Sequence, residues 1–187
     1  MGPGAGRRSL PVLCERVPGD VPALVRLLLD QQPVSHYPVR APLPFPAAEF
    51  VARRTDEVAW VAEVDGSLAG HVSVARVSPV PVADRFAAAP ARHGSSLAQL
   101  TALFVGLDHV GRGLGGLLHD TALAWIVGTG RQPVLEVVDH VGGARGMYAR
   151  RGWVELDRVR PGWLPDGAPD VVLMAWPLGQ PTTSSTK

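Results

Sequence analysis

This chain of 187 residues lacks several features that mark particular classes of protein. Its one cysteine, Cys14, excludes an internal disulfide and favours a reducing compartment, so we predict a cytoplasmic location. A formal net charge of +1 provides no basic field for nucleic acid. No apolar run is long enough to cross a bilayer. We therefore predict no nucleic-acid partner, no membrane partner and no metal site.

The two ends of the chain also lack the composition of a folded core. Residues 1–9 and 179–187 are rich in small and polar side chains, and the first segment has no apolar stretch typical of a signal peptide. We predict a disordered lead over residues 1–9, a disordered tail over residues 179–187 and a single domain over residues 10–178. That length is sufficient for one sizeable core.

A glycine cluster in the second half of the chain is the most informative feature present. An apolar run that predicts a strand is followed by four glycines within residues 111–116, and then by an amphipathic segment over residues 114–127. The first turn of a helix has N–H groups without internal partners, and the helix dipole favours negative charge there. This pattern predicts a phosphate-bearing ligand bound by main chain.

Other glycine motifs fit this cluster less well. A Walker loop is excluded because no Gly-Lys-Ser/Thr sequence follows the glycines. A dinucleotide-binding turn normally lies early in its fold and is followed about 20 residues later by an acidic residue. Here the cluster lies past the middle of the chain, and Asp139 comes slightly too late.

A second segment distinguishes between these interpretations. A predicted strand over residues 133–138 is followed by Ala144, by the pair Met147-Tyr148 and by the pair Gly152-Trp153. Residues 100–126 and 134–156 together resemble the GCN5-related N-acetyltransferase (GNAT) family. The resemblance implies acetyl-CoA (coenzyme A) as cofactor, with its pyrophosphate on the glycine loop. The cofactor-binding positions that it implies are Leu103, Phe104, Val105, Val110, Gly111, Arg112, Gly113, Leu114, Gly115, Gly116, Val141 and Ala144.

Two of these positions depart from the family pattern. Val110 stands where the family usually has Arg or Gln, and Val141 stands where it often has Asn. Because main-chain N–H groups do most of the phosphate binding in such a loop, we expect binding to survive, with Arg112 as an available cation.

The order of predicted elements resembles the whole GNAT fold. It is an α/β (α+β) arrangement, a mixed and mostly antiparallel splayed sheet of about seven strands flanked by about four helices. Asp20 is expected to cap the first helix, and Asp65-Gly66 predicts a hairpin. The predicted strands are 11–17, 58–64, 68–77, 97–105, 133–138, 154–160 and 171–176, and the predicted helices include one after Asp20, 46–54 and 114–127, with a long loop over residues 78–96.

The chemistry that the resemblance implies is direct attack of an amine on the thioester. Tyr148 is the candidate general acid for the leaving thiolate, because a phenol is a suitable proton source for it. The alternative is that Tyr148 only packs at a helix end. The general base is not determined, with His119 and Asp120 expected on a solvated helix face. The candidate bases are Glu63, Asp108, His109, His93, His36 and Asp139.

The acceptor is predicted to be a small primary amine, bound by the segment containing His36, Tyr37 and Arg40, by Phe45 and by the loop over residues 163–170. Trp60, Trp153 and Trp163 are either pocket walls or core residues. Family members often pair through their sheets, which makes a homodimer an expectation. A peptide or protein amine, a non-catalytic acyl-CoA sensor and another phosphate-binding protein stay open as alternatives.

Overall fold

One seven-stranded sheet organises the computed structural model, which describes residues 10–77, 86, 96–139 and 143–178. The strand order is β1-β2-β3-β4-β5-β7-β6, and the β4–β5 pair is parallel while the other five pairs are antiparallel. The predicted lead, the tail and nearly all of the loop over residues 78–96 lie outside the described residues. The strands are β1 (Val12–Glu15), β2 (Asp56–Val64), β3 (Ser67–Arg76), β4 (Leu97–Val105), β5 (Gln132–Val138), β6 (Val154–Val159) and β7 (Val171–Ala175).

Four α-helices accompany the sheet within the described ranges: α1 (Val21–Ser35), α2 (Ala47–Val51), α3 (Leu114–Gly128) and α4 (Ala144–Arg150). The predicted fold class is confirmed. Helix α2 ends earlier than predicted, and beyond it the N–H of Arg53 donates to the Asp56 carboxylate at 3.1 Å. Asp20 is the N-cap residue of α1, as expected, but its carboxylate accepts the N–H of Val17 at 2.8 Å and makes no cap bond to the helix.

The sheet splits between its two parallel strands. Strands β4 and β5 pair only from Leu97 to Gln99, opposite Gln132 to Val134, and then separate. On its other edge β4 stays paired with β3, but two residues of β4, Ala102 and Leu103, face the single residue Val72 of β3, and Ala102 has a φ of +49°. This bulge turns the second half of β4 away from the line of β5.

Packing on the two faces of the sheet fixes this arrangement. Helix α3 lies on one face through Leu114, Leu118, Ala122 and Ile126, which recur every four residues and are all buried. Helices α1 and α2 cover the opposite face through Leu24, Leu28 and Val51, together with Phe104 of β4. No helix in the described part of the chain is both long and apolar enough to cross a membrane.

Candidate active site

The glycine loop enters α3 with two residues in the left-handed backbone region. Gly111 has a φ of +77° and Gly113, the N-cap of α3, has a φ of +83°. In the described part of the chain, no side chain caps this helix, and a Cβ atom at either glycine would meet nothing within 4 Å. The first-turn N–H groups of Leu114, Gly115 and Gly116 therefore have no cap from a described side chain and no partner within the helix, which leaves them available to an anion.

Two arginines lie beside this helix start. Arg112 is exposed between the two left-handed glycines. The guanidinium of Arg151 covers Gly116 so closely that a Cβ there would lie 2.1 Å from its Nη2 atom. Val110 supplies neither a cation nor a free donor. Its exposed side chain is apolar, and its N–H donates to the Leu107 carbonyl at 3.3 Å. The loop therefore fits a pyrophosphate without help from Val110.

The end of β4 presents main-chain donors to the open gap. The N–H of Gly106 donates to the Ala69 carbonyl of β3 at 2.9 Å. Because N–H groups alternate sides along a strand, Phe104 also directs its N–H toward β3, whereas Val105 directs its N–H toward β5. Among the described strands, none pairs with this edge of β4 at Val105. The implied carbonyl-polarising role of both residues stays a prediction, and the alternation favours Val105.

A buried histidine holds the bulge that opens the gap. His71 Nδ1 lies 2.8 Å from the Ala102 carbonyl, and Arg16 Nη1 lies 3.1 Å from His71 Nε2. A carbonyl only accepts and a guanidinium only donates, so His71 is a neutral imidazole with its proton on Nδ1. Burial, opposed by the Ala102 hydrogen bond and assisted by the Arg16 and Arg53 charges, lowers the pKa of His71 to about 3.

Tyr148 lies on the α3 side of the sheet, in the same core cluster as Leu114 and Leu135. Its ring centroid is 5.8 Å from that of His119 and 5.8 Å from that of Trp153. Burial raises the pKa of Tyr148 well above its usual value, and the nearby Tyr37 phenol raises it further. The phenol therefore stays protonated at any pH at which amines are acetylated.

His119 is not on a solvated face, and that expectation is wrong. It is fully buried, because α4 and the following Trp153 cover a second side of α3. The Trp153 Nε1–H donates to His119 Nε2 at 2.8 Å, which places the imidazole proton on Nδ1, 2.7 Å from Asp120 Oδ1. Arg151 Nη1 donates to the same oxygen at 2.6 Å. Asp120 itself is exposed, as expected. These hydrogen bonds fix the His119 and Trp153 rings, which pack against Tyr148.

Tyr37 reaches the bulge from the opposite face of the sheet. Its hydroxyl interacts with the Arg53 guanidinium and with the main chain of Ala102. Burial raises the pKa of Tyr37, although Arg53 and the Ala102 hydrogen bond act in the other direction. The Tyr37 phenol also contributes to the raised pKa of Tyr148, so the two side chains interact electrostatically.

The candidate bases are dispersed in the structure. Asp139 lies 3.4 Å from both Arg145 and Arg158, and His36 is exposed after α1. Asp108 and His109 line a pocket of about 340 Å³ beside α1, and His109 Nδ1 is buried without a hydrogen-bond partner among the described residues. Glu63 is half-buried on β2, and His93 lies outside the described residues. Among the described residues, no hydrogen bond joins Tyr148 to Asp108, His109, Asp139 or Glu63.

The other predicted positions divide between core, surface and undescribed segments. Trp60 packs on Trp125 of α3 at 6.3 Å between ring centroids, and Trp153 is core, whereas Phe45 and Trp163 are largely exposed. Arg40 is exposed, as is Ala144 at the start of α4. Val141 lies outside the described residues. In the predicted acceptor loop, Asp170 forms an ion pair with Arg160 at 2.9 Å.

Three functionally placed residues were missed by sequence reasoning. Arg53, His71 and Arg151 reach the bulge or the helix start from distant parts of the chain. One signal pointed to the network around Arg151: a buried tryptophan needs an acceptor for its N–H, and His119 is a residue that can supply one. No local pattern marked Arg53 or His71.

Comparisons with known proteins agree with this geometry. A family model described as "Acetyltransferase (GNAT) family" matches residues 21–153. Among curated proteins, none matches this sequence. The ribosomal-protein-S18-alanine N-acetyltransferase from Escherichia coli has a TM-score of 0.66 and 16% identity, covering 95% of this chain and 100% of its own.

Two further solved structures have the same fold. The protein yncA from Salmonella typhimurium, solved with its cofactor acetyl-CoA, has a TM-score of 0.69 and 13% identity over 96% of this chain and 100% of its own. A spermidine N-acetyltransferase SpeG chimera from Vibrio cholerae and hSSAT has a TM-score of 0.63 and 17% identity over 90% and 95% of the two chains. At these identities the likeness is one of fold.

Proposed function

The chain belongs to the GNAT acetyltransferase family, and on that premise we propose that it transfers the acetyl group of acetyl-CoA to a primary amine of a small molecule. The family resemblance of the two motif segments is confirmed, and acetyl-CoA is the cofactor of the family. The finer assignments concern the acceptor and the residues that act on it.

One juxtaposition supports the proposal above all others. The uncapped start of α3 lies at the end of the strand that separates from β5, and Tyr148 lies on the same face of the sheet. An extended cofactor can therefore place its pyrophosphate on the first turn of α3 and its thioester in the gap. The bulge at Ala102 keeps that gap open.

The residues divide the chemistry between them. Acetyl-CoA supplies the thioester that the amine attacks. The N–H of Val105 stabilises the negative charge that develops on the carbonyl oxygen. As the new N–C bond forms and the C–S bond breaks, the Tyr148 hydroxyl gives its proton to the thiolate sulfur and is reprotonated from solvent. The amine proton leaves to water, so the products are the amide and the free thiol.

The first test is calorimetric titration with acetyl-CoA, CoA and ATP in parallel. We expect micromolar binding of both CoA species and much weaker binding of ATP. An amine panel assayed by thiol release then follows, with a peptide amine included. Binding without turnover of any amine would favour an acyl-CoA sensor, and equal binding of ATP would favour a general nucleotide site.

The role of Tyr148 has a matched control, because the chain contains only two tyrosines. Tyr148→Phe should lower kcat by roughly a hundredfold or more while leaving acetyl-CoA affinity unchanged. Tyr37→Phe should act mainly on the KM of the amine. Since burial raises the pKa of Tyr148, its ionisation should not reduce kcat until the pH exceeds about 10. An unchanged kcat in Tyr148→Phe would reject the acid role.

A further inference from the structure

Resting on the proposed function, we infer that the acceptor amine carries a carboxylate and that Arg53 is the residue that binds it. The proposal therefore names an α-amino acid or a related amino-carboxylate as the substrate class. It comes from an imbalance of charge beside the β4 bulge and from the position of the Arg53 guanidinium there.

The cluster beside the bulge has more positive than negative groups. Arg16 pairs with Asp56 at 3.1 Å, and both of these side chains are largely buried. His71 is neutral, as its two hydrogen bonds require. Arg53 is partly buried, and within the described parts of the chain it forms no ion pair with a carboxylate. Among the described residues, one positive charge is therefore left without a carboxylate partner, and burial makes such a charge costly.

The uncompensated charge lies where an acceptor would have to bind. Arg53 Nη1 donates to the hydroxyl of Thr101, the residue before Ala102, and the guanidinium also interacts with the Tyr37 hydroxyl. This is the α1–α2 face of the sheet, opposite the α3 face on which the cofactor positions lie. An acceptor that enters from the α1–α2 face meets Arg53 next to the gap.

The guanidinium is held ready for a planar anion. Its Cζ atom lies 4.6 Å from the centroid of the Phe50 ring, and the ring of Tyr37 meets the same Phe50 ring edge-on at 5.6 Å. The Phe50 ring and the bonds to the Thr101 and Tyr37 hydroxyls restrict the guanidinium, and those two hydroxyls do not use all of its five N–H groups. A fork of N–H donors in a fixed plane matches the two oxygens of a carboxylate. In an α-amino acid the amine and the carboxylate share one carbon, so the bound carboxylate positions the amine.

A purely structural role for Arg53 makes a different prediction. If the guanidinium only supports the bulge through Thr101, its loss should reduce the turnover of every amine by the same factor. If it binds a carboxylate, its loss should reduce the turnover of acids and leave their neutral analogues almost unchanged. The ratio of the two rates separates these roles, and it does not depend on the fraction of folded enzyme.

The probes are matched pairs of L-amino acids and their α-amides, such as methionine with methioninamide and phenylalanine with phenylalaninamide. The α-amine of an amino-acid amide is a weaker base than that of the free amino acid, so more of it is neutral at pH 8. If the acid nevertheless reacts faster, the advantage must come from its binding. For the wild type we expect kcat/KM to favour the acid by roughly tenfold to a hundredfold. In Arg53→Gln this ratio should fall close to one.

Two variants complete the test. Arg53→Lys keeps the charge without the planar fork and should keep only part of the preference. Arg54→Gln removes the neighbouring exposed arginine and should leave the ratio at its wild-type value. Calorimetry with acetyl-CoA is run on each variant, so that loss of cofactor binding is measured separately from loss of acceptor binding.

Each outcome decides one of the two proposals. A wild type that acetylates amides as well as acids, or a ratio unchanged in Arg53→Gln, overturns the inference and leaves the acetyltransferase proposal standing. If the enzyme acetylates only amines that lack a carboxylate and no amino acid, the inference is likewise overturned and the acetyltransferase proposal stands. Failure of acetyl-CoA to bind the wild type overturns the proposed function and, with it, the inference.

Discussion

Acidification should destabilise this protein through one particular side chain, His71. The imidazole is fully buried, and its pKa in the fold is about 3, compared with 6.5 in an unfolded chain. Below pH 6.5 the unfolded chain therefore binds a proton that the folded chain does not. A histidine with a depressed pKa contributes stability that is complete above pH 6.5 and is lost as the pH falls toward 3.

The size of the effect follows from the two pKa values. Each pH unit between them costs about 1.4 kcal/mol of unfolding free energy for this one group. The loss is about 2 kcal/mol at pH 5 and approaches about 5 kcal/mol near pH 3. Because domains of this size are stable by roughly 5–15 kcal/mol in total, His71 alone can decide where acid unfolding begins.

The assay is urea unfolding at pH 7, 6 and 5, followed by circular dichroism. His71→Asn removes the titration and places an amide nitrogen near the position of Nδ1, so that a donor to the Ala102 carbonyl remains. As the pH is lowered below 6, the unfolding free energy of His71→Asn should fall less steeply than that of the wild type. The two slopes should differ by about 1.4 kcal/mol per pH unit. Parallel curves for the wild type and His71→Asn would refute a buried neutral His71.

Three other changes test the cofactor loop and the core. Gly113→Ala and Gly130→Ala both place a side chain at positive φ in open space, and each should cost about 1 kcal/mol of stability. In calorimetry, only the change at Gly113 should weaken acetyl-CoA binding, by roughly tenfold. Trp153→Phe leaves a buried imidazole nitrogen without its donor and should cost about 1–3 kcal/mol by urea unfolding, whereas Trp163→Phe, at an exposed ring, should cost little. Leu118→Ala empties a fully buried site in the main core and should cost about 3 kcal/mol in the same assay; a value below 1 kcal/mol would contradict its place in the core.

The parts of the fold that were predictable depend on local chemistry. The Asp65-Gly66 turn has φ values of +52° and +74°, which Asp and Gly tolerate better than most residues, and the predicted hairpin is confirmed. The stripe from Leu114 to Ile126 repeats at helical spacing, so the helix and its buried face could be read from the sequence. The glycines that open α3 belong to the same class, because their conformation follows from the absence of a side chain.

The parts that were not predictable depend on contacts between distant residues. His119 looked solvated because the pattern of α3 showed one buried stripe, and only the return of the chain at Trp153 covers its second side. Arg53 and Thr101 are 48 residues apart, and His71 and Ala102 are 31 apart. No spacing rule relates such pairs, since their meeting depends on strand register and on the bulge itself.

The bulge explains why these long-range contacts occur together. Continued pairing of β4 with β5 beyond Gln99 would satisfy the main-chain groups of both strands, but the two strands separate after that residue. It also places Ala102 at a positive φ, which costs about 1 kcal/mol or more for a residue with a side chain. The Ala102 carbonyl is held by His71, and the neighbouring Thr101 by Arg53. A strained strand end that lacks a partner on one edge persists only where its surroundings over-determine it. The same separation of β4 from β5 leaves the N–H of Val105 without a strand partner, which is the group that we propose for the thioester carbonyl.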